Sequence, residues 1–212
     1  MNLPRTSDKL NRSFFERDDT VAIAKELLGK LLITNFNDTE TIARIVETEA
    51  YCGSIDKASH AYNNRRTTRT EIMYNSGGVA YVYLCYGIHH LFNVVTGKAE
   101  IPNAVLIRGV EPVYGMDIMM KRTGRLKWDR AIGSGPGNVT KALGIETSHT
   151  GLSLNGEKLY LVDDGFQFSE EKIIATPRIG VDYAGEDALL PFRFAIAGHP
   201  QVSAKSFTSK FI

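Results

Sequence analysis

The stretch VETEAYCGSIDKASHAY, residues 46–62, places two carboxylates inside a segment rich in strand-forming residues. Alternate side chains of a strand point to the same face, so Ala43, Ile45, Glu47 and Glu49 are predicted to share one face. A glutamate beside alanine and isoleucine on such a face is partly removed from water. Its charge then costs several kcal/mol unless partners compensate for the lost hydration. Each carboxylate therefore needs either a partner or a chemical use.

Glu49 can be interpreted in two ways. It can form a structural ion pair with an arginine such as Arg44 or Arg108, or it can serve as a general base that orients a water molecule. The tyrosines and the histidine that follow it favour the general base, because they provide aromatic surroundings for a substrate. Glu47 is predicted to be the structural member of the two.

Aromatic side chains and a histidine are concentrated between residues 51 and 86. They are Tyr51, His60, Tyr81, Tyr83 and Tyr86. Tyrosine is a good strand former, and this alone explains Tyr81. Tyr86 precedes Gly87 at a predicted hairpin tip, where an exposed ring does nothing for folding. Such a ring can enter the DNA minor groove and unstack bases, or the tip can fold back onto the body of the protein.

The sequence carries no metal-binding pattern. His89 and His90 are adjacent, and neighbouring residues of a strand point to opposite faces, so they cannot easily share one ion. Cys52 and Cys85 lack metal-type spacing and do not suggest a disulfide framework, which indicates a reducing compartment. No metal site is predicted.

Positive charge is concentrated in two places, although the net charge is only +1. Residues 121–141 contain six Lys or Arg and one acidic residue, and Arg65, Arg66 and Arg69 form a second cluster. Such clusters are usually solvated surface. Because they flank the glycine-rich SGPGN turn, they also suit contacts with phosphate groups.

The length of 212 residues, 43% of them hydrophobic, suits one domain with a substantial core, taken here as residues 1–212. The first residues, MNLPRTSDKL, lack the apolar region of a signal peptide. No run of about 18 apolar residues occurs anywhere in the sequence. We therefore expect no membrane association and a cytoplasmic protein, or a nuclear one in a eukaryote.

The predicted elements are strands joined mostly as hairpins, with irregularly interspersed helices. Helices are predicted for residues 18–30, 54–62, 111–122 (with Pro112 in the first turn) and 134–145. Strands are predicted for residues 30–36, 41–50, 79–86, 88–96, 103–110 and 192–198, and Asn155-Gly156 signals a hairpin within residues 152–163. The predicted fold class is α+β: a single domain with a mixed, largely antiparallel β-sheet, peripheral helices and a protruding β-hairpin.

A candidate base, aromatic walls, an exposed wedge and a basic rim together fit an enzyme that extrudes one base from a DNA duplex and acts on it. A second interpretation is a non-catalytic module that senses distorted DNA through the Tyr86 hairpin and has no need of Glu49. A third is a metal-dependent hydrolase of small nucleosides that uses the two glutamates with His89 and His90.

Five segments carry a resemblance to a known family, in the family's order. They are RIVETEAY with the following His60, YVYLCYGIHHLFNVV, VLIRGVEP, GSGPGNVTKALGI and PRIGVDYAGEDALLPFRF. The sequence resembles the alkyladenine DNA glycosylases, the human-type family of 3-methyladenine DNA glycosylases, over about residues 14–203. The resemblance implies an α+β domain that removes damaged purines from duplex DNA.

The resemblance also implies roles for individual residues. Glu49 matches the general base that activates the attacking water, Arg108 an arginine that helps to hold this water, and Ile179 a residue whose carbonyl touches it. Tyr51, His60 and Tyr83 match the walls that sandwich the extruded base. Asn93 matches a gatekeeper against guanine, and Tyr86 the intercalating tyrosine.

These roles imply a monofunctional hydrolase. Alkylation at purine N3 or N7 makes the base cationic, and a cation between tyrosine rings gains about 0.5–2 kcal/mol. The matching segments offer no lysine for a Schiff base, so a lyase step is not expected. The resemblance implies no cofactor, and its partner is double-stranded DNA with alkylated or deaminated purines. A monomer suffices for this reaction.

Overall fold

An eight-stranded antiparallel sheet organises residues 8–203, which the computed structural model describes. The strands are β1 (Leu31–Phe36), β2 (Thr39–Tyr51), β3 (Ala80–Cys85), β4 (His89–Thr96), β5 (Asn103–Tyr114), β6 (Leu159–Val162), β7 (Ile173–Thr176) and β8 (Arg193–Ile196). Their order is β3-β4-β5-β2-β1-β6, and β8 pairs with both β2 and β7. The predicted α+β class with an antiparallel sheet is confirmed.

The helices are short. The α-helices are α1 (Arg12–Phe15), α2 (Thr20–Glu26), α3 (Met116–Thr123) and α4 (Pro136–Leu143). The 3₁₀ turns are Gly53–Ile55, Tyr62–Asn64, Glu71–Tyr74, Arg130–Gly133, Thr147–His149, Glu170–Lys172 and Asp182–Leu189. In the part of the chain that the structure describes, no helix is long and apolar enough to cross a bilayer. The assignment of residues 1–212 to one domain and the interpretation of the first residues extend beyond this part.

Strand β2 is the central strand of the sheet and carries both glutamates. β5 pairs with it on one edge, while β1 and then β8 pair with it on the other. Glu47 and Glu49 lie in the half that is paired on both edges, opposite Ala195 and Arg193 of β8. Because the backbone there is hydrogen-bonded on both sides, the positions of the two carboxylates are fixed by three neighbouring strands.

A β-bulge in β2 changes which residues share a face. The register with β5 shifts between Ile45 and Glu47, and Ile45 and Val46, although adjacent, both pack into the main core. The prediction that Ala43, Ile45, Glu47 and Glu49 share one face is therefore wrong. A bulge inserts one residue and reverses the alternation beyond it, so the two glutamates leave the apolar face.

The two faces of the sheet have different coverings. One face packs against α2 and α4 and holds the main apolar core. Smaller apolar clusters include Met73 with Tyr81 and Ala58 with Val181, and they combine side chains of the sheet with those of residues 52–75 and 177–190. Two of the side chains that the sequence predicts to be functional, Tyr51 and Tyr83, pack against these smaller clusters.

Several local signals are confirmed. Asp19 caps α2 by accepting a hydrogen bond from the Ala22 amide at 2.9 Å. Pro136 occupies the first turn of α4. The hairpin of β3 and β4 turns at Tyr86 and Gly87, both of which have positive φ, 51° and 73°. The Ile88 amide donates to the Cys85 carbonyl at 3.1 Å, and Cys85 pairs with His89, so a tight turn of three residues joins the strands. That the hairpin protrudes from the body stays a prediction.

Three predicted elements are wrong. Residues 54–62 form no α-helix, because Asp56 accepts the amides of Cys52 and Ala58 in place of helical bonds. The helix predicted for residues 111–122 begins only at Met116, because β5 continues to Tyr114 and includes Pro112. Asn155 bridges Tyr160, so the turn between them is longer than the two-residue Asn-Gly turn. Strand β7 was not predicted.

Candidate active site: a buried carboxylate beside an aromatic cavity

A cavity of about 570 Å³ opens between the β3–β4 hairpin, the start of α4 and the segment of residues 179–183. This volume is typical of small-molecule sites. Its walls include most of the predicted site residues: Tyr51, His60, Tyr83, Tyr86, Asn93, Arg108 and Ile179 all line it. The structure thus brings together residues that lie up to 128 positions apart in the sequence.

Glu49 lies directly behind this lining and is fully buried. Its Oε1 accepts the Ile179 amide and its Oε2 accepts the Tyr51 hydroxyl, both at 2.8 Å. The Arg108 guanidinium approaches both oxygens at 3.4 Å. All three partners line the cavity and all three donate, so the carboxylate of Glu49 acts only as an acceptor towards them. A carboxylate has about four lone-pair positions, and the two short bonds use two of them.

Tyr51 and Arg108 respond electrostatically to Glu49. Burial, and then the charge of Glu49, raises the pKa of Tyr51 well above its usual value, so its proton stays on the ring oxygen and points at the carboxylate. Burial alone would lower the pKa of Arg108, but Glu49 and Glu47 outweigh it and raise the value. Both groups therefore remain donors at neutral pH.

Glu47 is fully occupied by structural partners. Its Oε1 accepts from Arg193 at 2.7 Å, from the Ser203 hydroxyl at 2.8 Å and from Arg108 at 3.3 Å. Its Oε2 accepts the Ser203 amide at 2.7 Å. Glu47 and Arg193 are both without solvent exposure. The predicted structural role of Glu47 is confirmed, while its partners Arg193 and Ser203 were missed.

A second buried ion pair supports Tyr51 from behind. Arg178 donates two hydrogen bonds to the Asp56 carboxylate, one of them at 2.8 Å, and another at 2.8 Å to the Ala50 carbonyl. Its guanidinium lies 4.8 Å from the centre of the Tyr51 ring. Arg178 directly precedes Ile179, whose amide binds Glu49. The pair therefore joins the two segments that hold the carboxylate, and sequence reasoning missed it because no local pattern links residues so far apart.

His60 also lines the cavity and is neutral. Burial, followed by the charges of Arg69 and Arg65, lowers its pKa to about 4. Its Nδ1 lies 2.8 Å from the Tyr81 hydroxyl, and its Nε2 lies 3.1 Å from an Arg69 nitrogen. Its ring meets that of Tyr83 edge to face, with centroids 4.6 Å apart.

The remaining predicted residues occupy different depths of the cavity. Asn93 is buried, and its amide donates to the Tyr81 carbonyl at 3.2 Å. Burial raises the pKa of Tyr83 far above its usual value, so this wall is an uncharged ring. Tyr86, at the hairpin turn, is 90% exposed. It therefore lies at the rim, outside any apolar core.

His89 and His90 have separate surroundings. His89 lines the cavity near Gly137, whereas His90 accepts the Thr147 amide at 3.2 Å. Within residues 8–203, no group of three or more His, Cys, Asp or Glu side chains is placed to hold a metal ion. The nucleoside-hydrolase interpretation, which needs both histidines and both glutamates at one ion, has no support in this arrangement.

The sequence matches known proteins over almost its whole length. The model of the methylpurine-DNA glycosylase family matches residues 13–200. The chain belongs to this family. The predicted resemblance and the predicted enzyme class, a DNA glycosylase, are thereby confirmed.

Bacterial relatives of this glycosylase family are similar over nearly their full lengths. A protein of Natranaerobius thermophilus is 44% identical over 92% of this chain and 98% of its own, and one of Chlamydia abortus is 45% identical over 88% and 97%. A protein of Clostridium perfringens is 40% identical over 93% of this chain and 100% of its own. Each is named "Putative 3-methyladenine DNA glycosylase".

Proposed function

We propose that this protein extrudes alkylated or deaminated purines from duplex DNA and hydrolyses their N-glycosidic bond with a water molecule activated by Glu49. Family membership supports the DNA glycosylase class. The observation that carries the finer proposal is the position of Glu49: a buried carboxylate whose three hydrogen-bond donors, Tyr51, Arg108 and Ile179, all line one aromatic cavity.

In the proposed reaction the extruded purine enters between Tyr51 on one side and His60 with Tyr83 on the other. The bond from C1′ to the base nitrogen breaks, and the base leaves with the bonding electrons. Water adds its oxygen to C1′ and gives a proton to Glu49. The negative charge of Glu49 also stabilises the positive charge that develops at the sugar.

The arrangement of donors supports this role for Glu49. The Ile179 amide and the Tyr51 hydroxyl fix both carboxylate oxygens, so the carboxylate needs no reorganisation to face the cavity. Preorganised groups of this kind contribute more in a buried site than in water. The resemblance implies that the Ile179 carbonyl contacts the attacking water. The amide of the same residue binds Glu49, so Ile179 would position both the water and the carboxylate.

Other residues would provide the DNA contacts. Tyr86 is exposed at a hairpin turn, as an intercalating ring must be, and would fill the gap left by the extruded base. Asn93 would restrict the depth of the cavity and so disfavour guanine. Within the described residues no lysine lines the cavity, which supports hydrolysis without a Schiff-base step. The proposed reaction requires no cofactor and only one copy of the chain.

The decisive experiment compares wild type with Glu49→Gln for release of free base from methylated duplex DNA. A general base contributes about 10²–10⁴-fold, so the variant is expected to lose activity by that factor while it still binds DNA. Full turnover by the variant would refute the role of Glu49. Absence of base release from wild type would favour the non-catalytic module.

A borohydride test separates hydrolysis from a lyase route. Reduction during turnover should trap no covalent enzyme–DNA adduct. An adduct would show that an amine of the protein attacks C1′ and that the proposed water mechanism is wrong.

A further inference from the structure

Both tyrosine walls of the cavity already carry an arginine. The Arg69 guanidinium carbon lies 4.6 Å from the centre of the Tyr83 ring, and that of Arg178 lies 4.8 Å from the centre of the Tyr51 ring. The π-electrons of an aromatic ring attract cations, and each of these two rings already interacts with the cation of an arginine. A cationic base entering the cavity therefore gains less from these rings than it would from bare tyrosines.

The arginines differ in how their charges are compensated. Arg178 is bonded to the Asp56 carboxylate by two hydrogen bonds, and Arg108 lies between Glu47 and Glu49. In contrast, no carboxylate among residues 8–203 forms a salt bridge with Arg69. Its contacts at the cavity are the Tyr83 ring, His60 and the Tyr81 hydroxyl, none of which is negatively charged. Arg69 thus brings an uncompensated positive charge to the base-binding wall.

The hydrogen bonds of His60 show that this residue does not compensate the positive charge of Arg69. A guanidinium can only donate, so Nε2 of His60 must accept from Arg69. The proton of the neutral ring is then on Nδ1 and is donated to the Tyr81 hydroxyl. This assignment leaves His60 uncharged beside the guanidinium.

We propose that Arg69 is a specificity-determining residue that disfavours cationic alkylpurines relative to neutral lesion bases. The inference rests on the proposed function of the cavity. A base stacked on the other face of Tyr83 would place its charge about 8 Å from Arg69, the 4.6 Å to the ring centre plus a stacking distance of about 3.5 Å. At an effective dielectric constant of about 20, two unit charges at this separation repel enough to change an equilibrium constant about thirtyfold. Because the Arg69 side chain is exposed, solvent screening reduces the expected discrimination to about tenfold.

The experiment measures two base-release rates for each variant under single-turnover conditions. One duplex contains 7-methylguanine, a cation, and the other contains hypoxanthine, a neutral base. Arg69→Gln removes the charge but keeps an N–H donor for His60, and it is expected to raise the ratio of cationic to neutral release about tenfold. Arg69→Lys keeps the charge and should stay near the wild-type ratio.

Arg66→Gln is the matched control. It removes a positive charge from the same loop, but Arg66 is paired with Glu71 and Glu100 and does not line the cavity. Its ratio should stay within about twofold of wild type. An Arg69→Gln ratio equal to that of wild type, or a parallel change of both rates, would overturn the charge-based role.

A binding measurement separates this inference from the proposed catalysis. Duplexes with 2′-fluoro sugars at the lesion resist hydrolysis, so their dissociation constants report recognition alone. In Arg69→Gln the affinity for the duplex with the cationic base should increase relative to the affinity for the duplex with the neutral base. A shift in binding without any base release would support the role of Arg69 and refute the catalytic proposal, whereas an unchanged ratio would refute the role of Arg69.

Discussion

Replacement of each glutamate of β2 by glutamine should separate folding from chemistry. Glu47 and Glu49 are two residues apart and equally buried, yet their partners differ. Glu47→Gln leaves Arg193, which has no solvent exposure, without its carboxylate at 2.7 Å. Glu49→Gln leaves Arg108 with Glu47 still at 3.3 Å. The first variant therefore strands a buried charge and the second does not.

The expected magnitudes follow from these distances. Removing one partner of a buried ion pair costs about 3–5 kcal/mol, because the other charge stays in the interior. In Glu49→Gln the amide oxygen of the new side chain can still accept one of the two short hydrogen bonds. The variant loses the other, from either the Ile179 amide or the Tyr51 hydroxyl, which costs about 1–2 kcal/mol. For a protein of this size each kcal/mol lowers the melting temperature by about 2–4 °C, so Glu47→Gln should melt about 6–20 °C below wild type.

Urea unfolding followed by circular dichroism measures the two free energies, and base release from methylated DNA measures function in the same preparations. We expect Glu47→Gln to be the less stable variant and, at a temperature where it is folded, to keep activity within about tenfold of wild type. Glu49→Gln should be the more stable and the less active variant. A reversal of either order would refute the division of roles between the two carboxylates.

Three further predictions concern the rim and the walls of the cavity. Tyr86→Ala should weaken binding to lesion-containing DNA but change the free energy of unfolding by no more than about 0.5 kcal/mol, since the ring is 90% exposed; a larger loss of stability would show that the ring packs on the body. Asn93→Ser, which shortens a buried side chain of the lining, should increase release of undamaged guanine, and unchanged guanine release would remove the gatekeeper role. The pKa of His60 falls from 6.5 to about 4 on folding, so between these pH values the unfolded state binds a proton that the folded state does not, and the free energy of unfolding decreases as the pH falls. In His60→Gln, the free energy measured by urea unfolding should decrease less from pH 6.5 to 4. An equal decrease in both proteins would contradict the burial of a neutral ring.

Local signals made much of the fold predictable. Asp19 before a periodic apolar segment, Pro136 in a first turn and Tyr86-Gly87 between two strands each act through the backbone of their immediate neighbours. The antiparallel arrangement then follows from short connections. The sequence was informative wherever the physical cause of an element lies within a few residues of it.

The errors have causes that lie far away in the sequence. Residues 54–62 have a helical pattern, but Asp56 is held by Arg178, which follows 122 positions later. Pro112 looks like the start of a helix, yet it is part of β5. The pairing of β4 with β5 ends at Leu106. Within residues 8–203, Pro112 therefore has one strand neighbour, Ala43 of β2, and needs no amide for a second.

The candidate site shows the same division. Glu49, Arg108 and the aromatic walls could be predicted as site residues because their residue types and order are specific. The bulge at Ile45 and Val46 was not, since two adjacent apolar residues fit either face of a strand. The position of Arg69 at the cavity could not be predicted either. Arg69 and Arg66 are the same residue type in one loop, yet Arg66 forms ion pairs with Glu71 and Glu100 whereas Arg69 contacts Tyr83.

The contacts of Ser203 impose an order on the assembly of the site during synthesis. Glu47 accepts hydrogen bonds from Ser203, which the ribosome adds 156 positions later. Its other close partner, Arg193, is added 146 positions later. Until then a growing chain holds an unpaired carboxylate in the middle of its longest strand. The carboxylate can stay hydrated only while that part of the sheet is open, so the half of β2 that carries Glu47 and Glu49 should be among the last regions to close.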